Sequence, residues 1–349
     1  MSKLEINLGI NSYPIYIEEN ILGSVLEYIA PVFRGKKIMI VSDSNVFPIY
    51  GEMITKQMEE KYECCSHVFT AGEQSKHLGV VQEVYTSLIE NNFSRTDLII
   101  ALGGGVVGDL AGFVAATYLR GISYIQIPTT LLAQVDSSVG GKVAVDLPQG
   151  KNMVGNFYHP KMVFIDPKVL ESLTERYFRD GMGEVIKYGC IQSESLFKKL
   201  KNIKDKEELM QKIGDIIYEC IDCKRIVVEE DERDTGSRMI LNFGHTLGHA
   251  VEQYYGYARE SHGEAVAIGM YEIMKIAEEA GVTEPGMAQE IKDLLVQYGL
   301  PFACDVDRNL LLQAIQKDKK NLSGSLNIIL LSRIGEACIY KTEAEFFKA

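Results

Sequence analysis

The stretch Leu98-Ile99-Ile100-Ala101-Leu102-Gly103-Gly104-Gly105-Val106-Val107-Gly108-Asp109 decides the fold of the first half of this chain. Five apolar residues make a run of strand length and pass straight into glycine, and a helical pattern follows as far as Tyr118. Gly103, Gly105 and Gly108 have the dinucleotide-binding spacing. Without a Cβ the backbone can turn sharply and approach a pyrophosphate, which the N–H groups of the helix start then bind. The acidic residue expected about 20 positions further on, where it would hold ribose, is absent. Thr129 and Thr130 stand there instead. The competing reading is a tight strand-to-helix turn with no ligand.

Working outward, short β-branched runs at residues 37–41, 63–69, 98–102, 124–127 and 162–165 alternate with helical stretches such as 49–58 and 80–90. That alternation predicts an α/β domain built on a doubly wound, mostly parallel sheet. Residues 4–8 and 13–18 read as an initial antiparallel pair. Two further strand-end loops, Ser42-Asp43-Ser44-Asn45 and Gly72-Glu73-Gln74-Ser75-Lys76, fall where ligands of such sheets bind. From about Thr174 the period changes to helical spacing at 176–188, 207–228, 238–255, 263–280 and 287–297; only 326–331 and 337–340 look extended. The predicted organisation is residues 1–174 as a nucleotide-binding α/β domain and 175–349 as a mainly α-helical metal- and substrate-binding domain. The lysines of 198–206 read as a solvated turn between helices.

The chain has 349 residues, 46% hydrophobic and 24% charged, as in ordinary globular proteins. Its net charge of −12 argues against non-specific nucleic-acid binding, which needs a basic surface. No apolar run reaches the ~18 residues of a membrane span. Seven cysteines imply no small disulfide scaffold, and a reducing cytoplasm is the expected compartment. Cys220 and Cys223 read as a buried thiol pair or, less simply, a metal or redox site. Met1-Ser2-Lys3-Leu4-Glu5-Ile6-Asn7 carries no basic-then-apolar signal.

Two further regions carry chemistry. The stretch from Pro128 through Asp136 to Gly140-Gly141-Lys142, with Gly150-Lys151-Asn152, is dense in polar groups and glycine. Lys142, Lys151 and Asn152 could grip a phosphate, or simply line a solvated loop. Lys187, Lys224, Arg238 and the lysines at 317–320 add cations that would suit an anionic substrate if they converge. Half of the chain's six histidines lie in one window, His245, His249 and His262. His245 and His249 are four apart and share a helix face, beside glycines that admit another backbone or a ligand. Two imidazoles and a carboxylate such as Glu184 are the usual make-up of a catalytic zinc site. Which two histidines bind metal is not legible from these spacings.

The motifs Gly72–Lys76, Gly103–Asp109, Pro128–Lys142, Gly183-Glu184-Val185-Ile186-Lys187, Asn242–His249 and His262-Gly263-Glu264-Ala265 together resemble the dehydroquinate synthase family of the shikimate pathway, over essentially the whole chain. The resemblance implies metal ligation, Zn2+ or Co2+, by Glu184, His245 and His262, with His249 a non-ligand near the substrate. It implies NAD contacts from Asp43, Asn45, Glu73, Lys76, Gly104, Gly105, Val106, Asp109, Thr129, Thr130, Lys142, Lys151 and Ser172. Substrate contacts would come from Asp136, Lys142, Asn152, Lys187, Lys224, Arg238, Asn242, His249 and Lys319 or Lys320. Arg120 would reach phosphate from a neighbouring subunit, in a homodimer. Leu247 and Ser172 stand where the family commonly has Phe and Thr. The implied reaction converts 3-deoxy-D-arabino-heptulosonate 7-phosphate to 3-dehydroquinate and phosphate through transient oxidation by NAD, elimination, reduction and an internal aldol step. Another sugar-phosphate cyclase, or a metal-dependent polyol dehydrogenase on the same fold, is the alternative. A catalytically silent NAD- or phosphate-sensing module is a third, which retention of every candidate ligand weighs against.

Overall fold

The computed structural model describes residues 2–257, 259–306, 326–343 and 346–347. The chain forms two compact units, Met1–Leu173 and Thr174–Ala349.

The first unit is organised by side-chain alternation along its strands. In β3 (Lys37–Asp43) and β5 (Leu98–Gly103), Ile38, Ile40, Leu98, Ile100 and Leu102 point to one face of the sheet. There α1 (Val25–Ile29) and α2 (Glu52–Glu59) cover them with Val25, Ile29, Ile54 and Met58. Met39, Val41, Ile99 and Ala101 point to the other face, under Val84 and Leu88 of α3 (Leu78–Glu90) and Leu110 and Val114 of α4 (Gly105–Thr117). Each fully buried side chain of this size contributes roughly 1.5–3 kcal/mol. Both faces are therefore apolar and both need helices, which is why the run 98–102 has no polar position.

β1 (Ser2–Ile6), β2 (Tyr13–Ile17), β4 (Glu63–Phe69), β6 (Ser123–Pro128) and β9 (Val163–Ile165) complete the sheet in the order β1-β2-β9-β6-β5-β3-β4. The β1/β2 pair is antiparallel and the remaining pairs are parallel. The glycine-dense stretch beyond Gly140 departs from the expectation of a loop. It forms an antiparallel ribbon of β7 (Lys142–Leu147) and β8 (Gly150–Phe157). Val143 and Val145 are buried in the same core as α4, and Val143 closes on Gly112 of that helix. The period-two signal is only two residues long on β7 and is diluted by glycine and lysine.

The second unit is built from α5 (Glu175–Ile191), α6 (Glu194–Asn202), α7 (Lys206–Glu230), α8 (His245–Tyr254), α9 (His262–Glu279) and α10 (Met287–Gln297), with a hairpin of β10 (Leu326–Arg333) and β11 (Glu336–Thr342). Two expectations are corrected here. Most of 198–206 is helix, because Leu196, Phe197 and Leu200 bury one face of α6 and its lysines occupy the other. The segment 238–255 is not one helix. A 3-10 turn, Ser237–Asn242, precedes α8, and Gly244, at φ 80°, makes the break between them in the left-handed region. Lys319 and Lys320 lie outside the described residues. Among the described residues no helix is long and apolar enough to cross a membrane.

Helices α5, α8 and α9 meet through glycine. A Cβ on Gly263 would overlap the Asp180 carbonyl oxygen of α5, and one on Gly183 would overlap the Gly263 carbonyl. A Cβ on Gly269 would overlap the Gly244 carbonyl. Replacing Gly269 by alanine therefore forces α8 and α9 apart. Overpacking of this kind costs about 1–3 kcal/mol or more. Gly269→Ala should melt several degrees below the parent in a thermal unfolding scan, and an unchanged midpoint would contradict this packing.

Candidate functional site

In the second unit the three glycine contacts place three donor groups together. Glu184 lies mid-way along α5, and His245 and His262 are the first residues of α8 and α9. The Glu184 side chain is fully buried, and its Oε1 lies 3.6 Å from His245 Nε2 and 3.5 Å from His262 Nε2. All three donor atoms lie within 4.8 Å of one another. Tetrahedral ligands about 2.1 Å from a zinc ion are roughly 3.4 Å apart. The observed spacing therefore matches a cation-sized vertex set. The donor chemistry, two imidazoles and one carboxylate, also fits such an ion.

The second carboxylate oxygen of Glu184 is paired with the Lys187 ammonium, one turn along α5, which is also buried. Burial, helped by the Lys187 charge, holds the His245 imidazole down to about 3, so it is neutral and able to ligate. Its Nδ1 lies 3.1 Å from the Phe243 carbonyl oxygen, which leaves Nε2 directed at Glu184. Burial also pushes His262 down, but Glu184 and Glu252 outweigh it and carry that imidazole up to about 10. A divalent cation at the triad would take the place of that proton.

His249 stands apart from this set. It is exposed, its ring centroid 5.4 Å from that of His245 and 6.1 Å from that of His262. The spacing of His245 and His249 left open which histidines share a carboxylate; the coordinates group His245 and His262 around Glu184. The second unit buries two more cations, Lys224 on α7 and Arg238 in the 3-10 turn. The helices α5 and α7 and that turn pack on one another pairwise. Arg238 donates from Nη1 to the Glu232 carbonyl at 2.7 Å. Asn242, at the end of the same turn, is exposed.

Two carboxylates escaped the sequence reading. Asp180 Oδ1 accepts from Gly263 N at 2.6 Å and so holds the start of α9. Burial raises its carboxyl above the usual range, against that hydrogen bond. Glu252, buried on α8, has its Oε2 3.6 Å from His262 Nδ1. Its position one turn beyond His249, on the same face, is the signal that could have found it. Cys220 and Cys223 are buried and form no disulfide, and burial pushes the Cys223 thiol up to about 12. At neutral pH it offers no thiolate for metal or redox chemistry.

In the first unit the named residues gather at the carboxyl ends of β3, β4, β5 and β6, the usual ligand position of a doubly wound sheet. Gly104 caps α4 with no side-chain bond, leaving the first N–H groups of that helix to a ligand. A Cβ on Gly104 would sit 3.0 Å from Thr130, and one on Gly105 would sit 3.2 Å from the Ser137 hydroxyl. The buried Thr129 hydroxyl has no hydrogen-bond partner among the described residues. A bare helix start, a Cβ-free cradle and an orphaned hydroxyl fit a pyrophosphate-bearing cofactor. Asp43 Oδ1 accepts from Asn45 N at 2.8 Å and Val46 N at 2.9 Å, shaping the loop after β3.

Lys76 is buried, and its ammonium donates to Asp109 Oδ2 and Asn152 Oδ1, both at 2.6 Å. This joins the loop after β4, helix α4 and the β7/β8 ribbon. Asn152 N in turn donates to Asp146 at 2.7 Å, and Lys151 lies 3.9 Å from Glu73. Asp136 is half-buried in the turn Ala133–Ser137, and Lys142 opens β7 in an exposed position. The Ser172 hydroxyl is 2.8 Å from that of Tyr50. Arg120 is not brought to this group. It follows the far end of α4, whose 13 residues span about 20 Å.

The chain matches the family model for the 3-dehydroquinate synthase N-terminal region over residues 66–180 and that for the C-terminal region over residues 181–321. It is 58% identical over 350 residues to a 3-dehydroquinate synthase of Clostridium perfringens, covering all of both chains. To that of Clostridium beijerinckii it is 53% identical over 349 residues, 99% of this chain and 100% of the relative. A solved 2-deoxy-scyllo-inosose synthase, complexed with carbaglucose-6-phosphate, NAD+ and Co2+, matches with a TM-score of 0.88 at 28% identity, over 99% of this chain and 98% of the other. A 2-epi-5-epi-valiolone synthase from Streptomyces hygroscopicus, solved with NAD+ and Zn2+ bound, shares the fold with a TM-score of 0.87 at 24% identity, over 96% and 94% of the two chains.

If Glu184 is a ligand, Glu184→Gln should fold but retain no zinc after purification, read by elemental analysis. Stoichiometric zinc in that variant would remove Glu184 from the site.

Proposed function

We infer the activity of this chain from its membership: it belongs to the 3-dehydroquinate synthase family. It is a phosphorus–oxygen lyase that converts 3-deoxy-D-arabino-heptulosonate 7-phosphate to 3-dehydroquinate and inorganic phosphate, the second step of the shikimate pathway. One observation separates this reading from a polyol dehydrogenase. Lys187, Lys224 and Arg238 are all buried in the unit that carries the Glu184, His245 and His262 set. Lys187 is paired with Glu184, and this concentration of positive charge in one unit suits an anionic ligand. A substrate with both a phosphate and a carboxylate is complementary to it, whereas a neutral polyol is not.

A cation held by Glu184, His245 and His262, Zn2+ or Co2+, would supply Lewis acidity toward the substrate hydroxyls, and NAD would supply reversible oxidation at C5. The NAD would be held by Asp43, Asn45, Glu73, Lys76, Gly104, Gly105, Val106, Asp109, Thr129, Thr130, Lys142, Lys151 and Ser172. The chain's own groups do the rest. Lys142 and Asn152 in the first unit and Lys187 in the second are the proposed phosphate contacts, the two ammonium groups offsetting its charge. Lys224 and Arg238 pair with the carboxylate, for which a planar guanidinium is suited. Asp136 and Asn242 orient the sugar hydroxyls. His249, exposed beside the ligand set, moves a proton at the C5 oxygen. The far placement of Arg120 within its own unit suits a contribution to a neighbouring subunit's site in a homodimer.

The direct test is to incubate metal-loaded protein with the heptulosonate phosphate and catalytic NAD+. Phosphate should appear over many turnovers with no net NADH absorbance. Chelation should stop it and added Zn2+ or Co2+ restore it. Stoichiometric NADH without phosphate would instead mark a dehydrogenase. His249→Ala should keep its metal while kcat falls by about 10²–10⁴-fold; loss of metal would make His249 a ligand.

A further inference from the structure

We propose that Glu252 is a positioning residue of the metal centre, holding the Nδ1–H of His262 so that its Nε2 lone pair faces the ion. The proposal rests on Glu184, His245 and His262 being the ligands. His262 is bracketed by two buried carboxylates, one on each ring nitrogen. Nε2 lies 3.5 Å from Glu184 Oε1, and Nδ1 lies 3.6 Å from Glu252 Oε2. An imidazole that ligates through Nε2 must carry its proton on Nδ1. A carboxylate there fixes both the tautomer and the plane of the ring. At 3.6 Å the Glu252 contact is of ion-pair length.

The local architecture supports this assignment. Glu252 lies seven residues after His245, two turns along the same face of α8. One helix therefore provides a ligand at its start and the support of a second ligand further on. The Gly269 contact with Gly244 and the Gly248 contact with Ala265 hold α8 against α9 at that distance. The two imidazoles are supported unequally. His245 Nδ1 faces the neutral carbonyl of Phe243 at 3.1 Å, whereas His262 Nδ1 faces a charge. His262 is thus the more basic donor of the pair. The competing use of Glu252 is as a ligand itself, with His249 and His262, for a second cation. That arrangement would need the same His262 ring to serve two ions at once.

The test uses the full-length protein. Zinc affinity is measured by chelator competition, and Co2+ absorption reports ligand geometry, for the parent, Glu252→Gln and Glu184→Gln. Glu252→Gln should melt like the metal-free parent yet bind one zinc about 10–100-fold more weakly, with a shifted Co2+ spectrum. Wild-type affinity and spectrum in Glu252→Gln would overturn the proposal and leave the ligand assignment standing. Retention of zinc by Glu184→Gln would instead overturn the ligand assignment. The Co2+-loaded parent gives a reading that needs no variant. Its proton NMR spectrum should show two hyperfine-shifted, exchangeable imidazole N–H signals, from His245 and His262. A single such signal, or two ions bound per chain, would overturn the proposal.

Discussion

The proposed metal-binding set depends on backbones that touch. Glu184 comes from a helix far upstream of the consecutive pair that begins with His245 and His262, and a shared cation would need their donor atoms within a few ångströms. Side chains of ordinary size hold helix axes 8–10 Å apart. Here Gly183 and Gly263 remove that spacer between α5 and α9, and Gly244, Gly248 and Gly269 remove it between α8 and α9. The two histidines begin their helices, so their rings project from helix starts that the glycine contacts have already fixed. Asp180, accepting from Gly263 N, ties one of those starts to α5.

Close packing leaves an electrostatic problem that the same residues answer. A carboxylate as buried as that of Glu184 is costly unless compensated. Lys187 compensates one of its oxygens and the imidazoles face the other. The buried Lys76 in the first unit is handled in the same manner, between Asp109 and Asn152. That lysine is a structural joint as well as a candidate cofactor contact, since it binds a strand-end loop, a helix and a ribbon. In both units a single charged side chain is satisfied by groups from separate elements. Removing one partner would leave the others desolvated, so a substitution there should be destabilising whatever its effect on activity.

Much of this was legible in advance. The run 98–102 entering Gly103 announced a strand buried on both faces, and the sheet places it next to the middle. The change of period after Thr174 announced a helical half. What misled was local: α6 hides behind its lysines, and β7 and β8 hide behind glycine. In each case a short buried face, Leu196 with Phe197 and Leu200, or Val143 with Val145, was outnumbered by polar residues on the solvent side. Glu252 and Asp180 were passed over because acidic residues in helices are ordinarily solvated.

The sequence alone determined the architecture of both halves, the glycine loop, the identity of the candidate donors and the family. Those follow from periodicity, residue chemistry and ordered motifs, which are properties of the chain as written. The tertiary structure brings His262 rather than His249 to the Glu184 oxygen that faces His245, a grouping that the residue spacings left open and the family resemblance implied. It also revealed that a second carboxylate stands behind His262, and that Arg120 lies at the wrong end of its helix to serve its own unit's loop. These are distances between elements remote in sequence. They are set by how closely helices can approach, which no local pattern records.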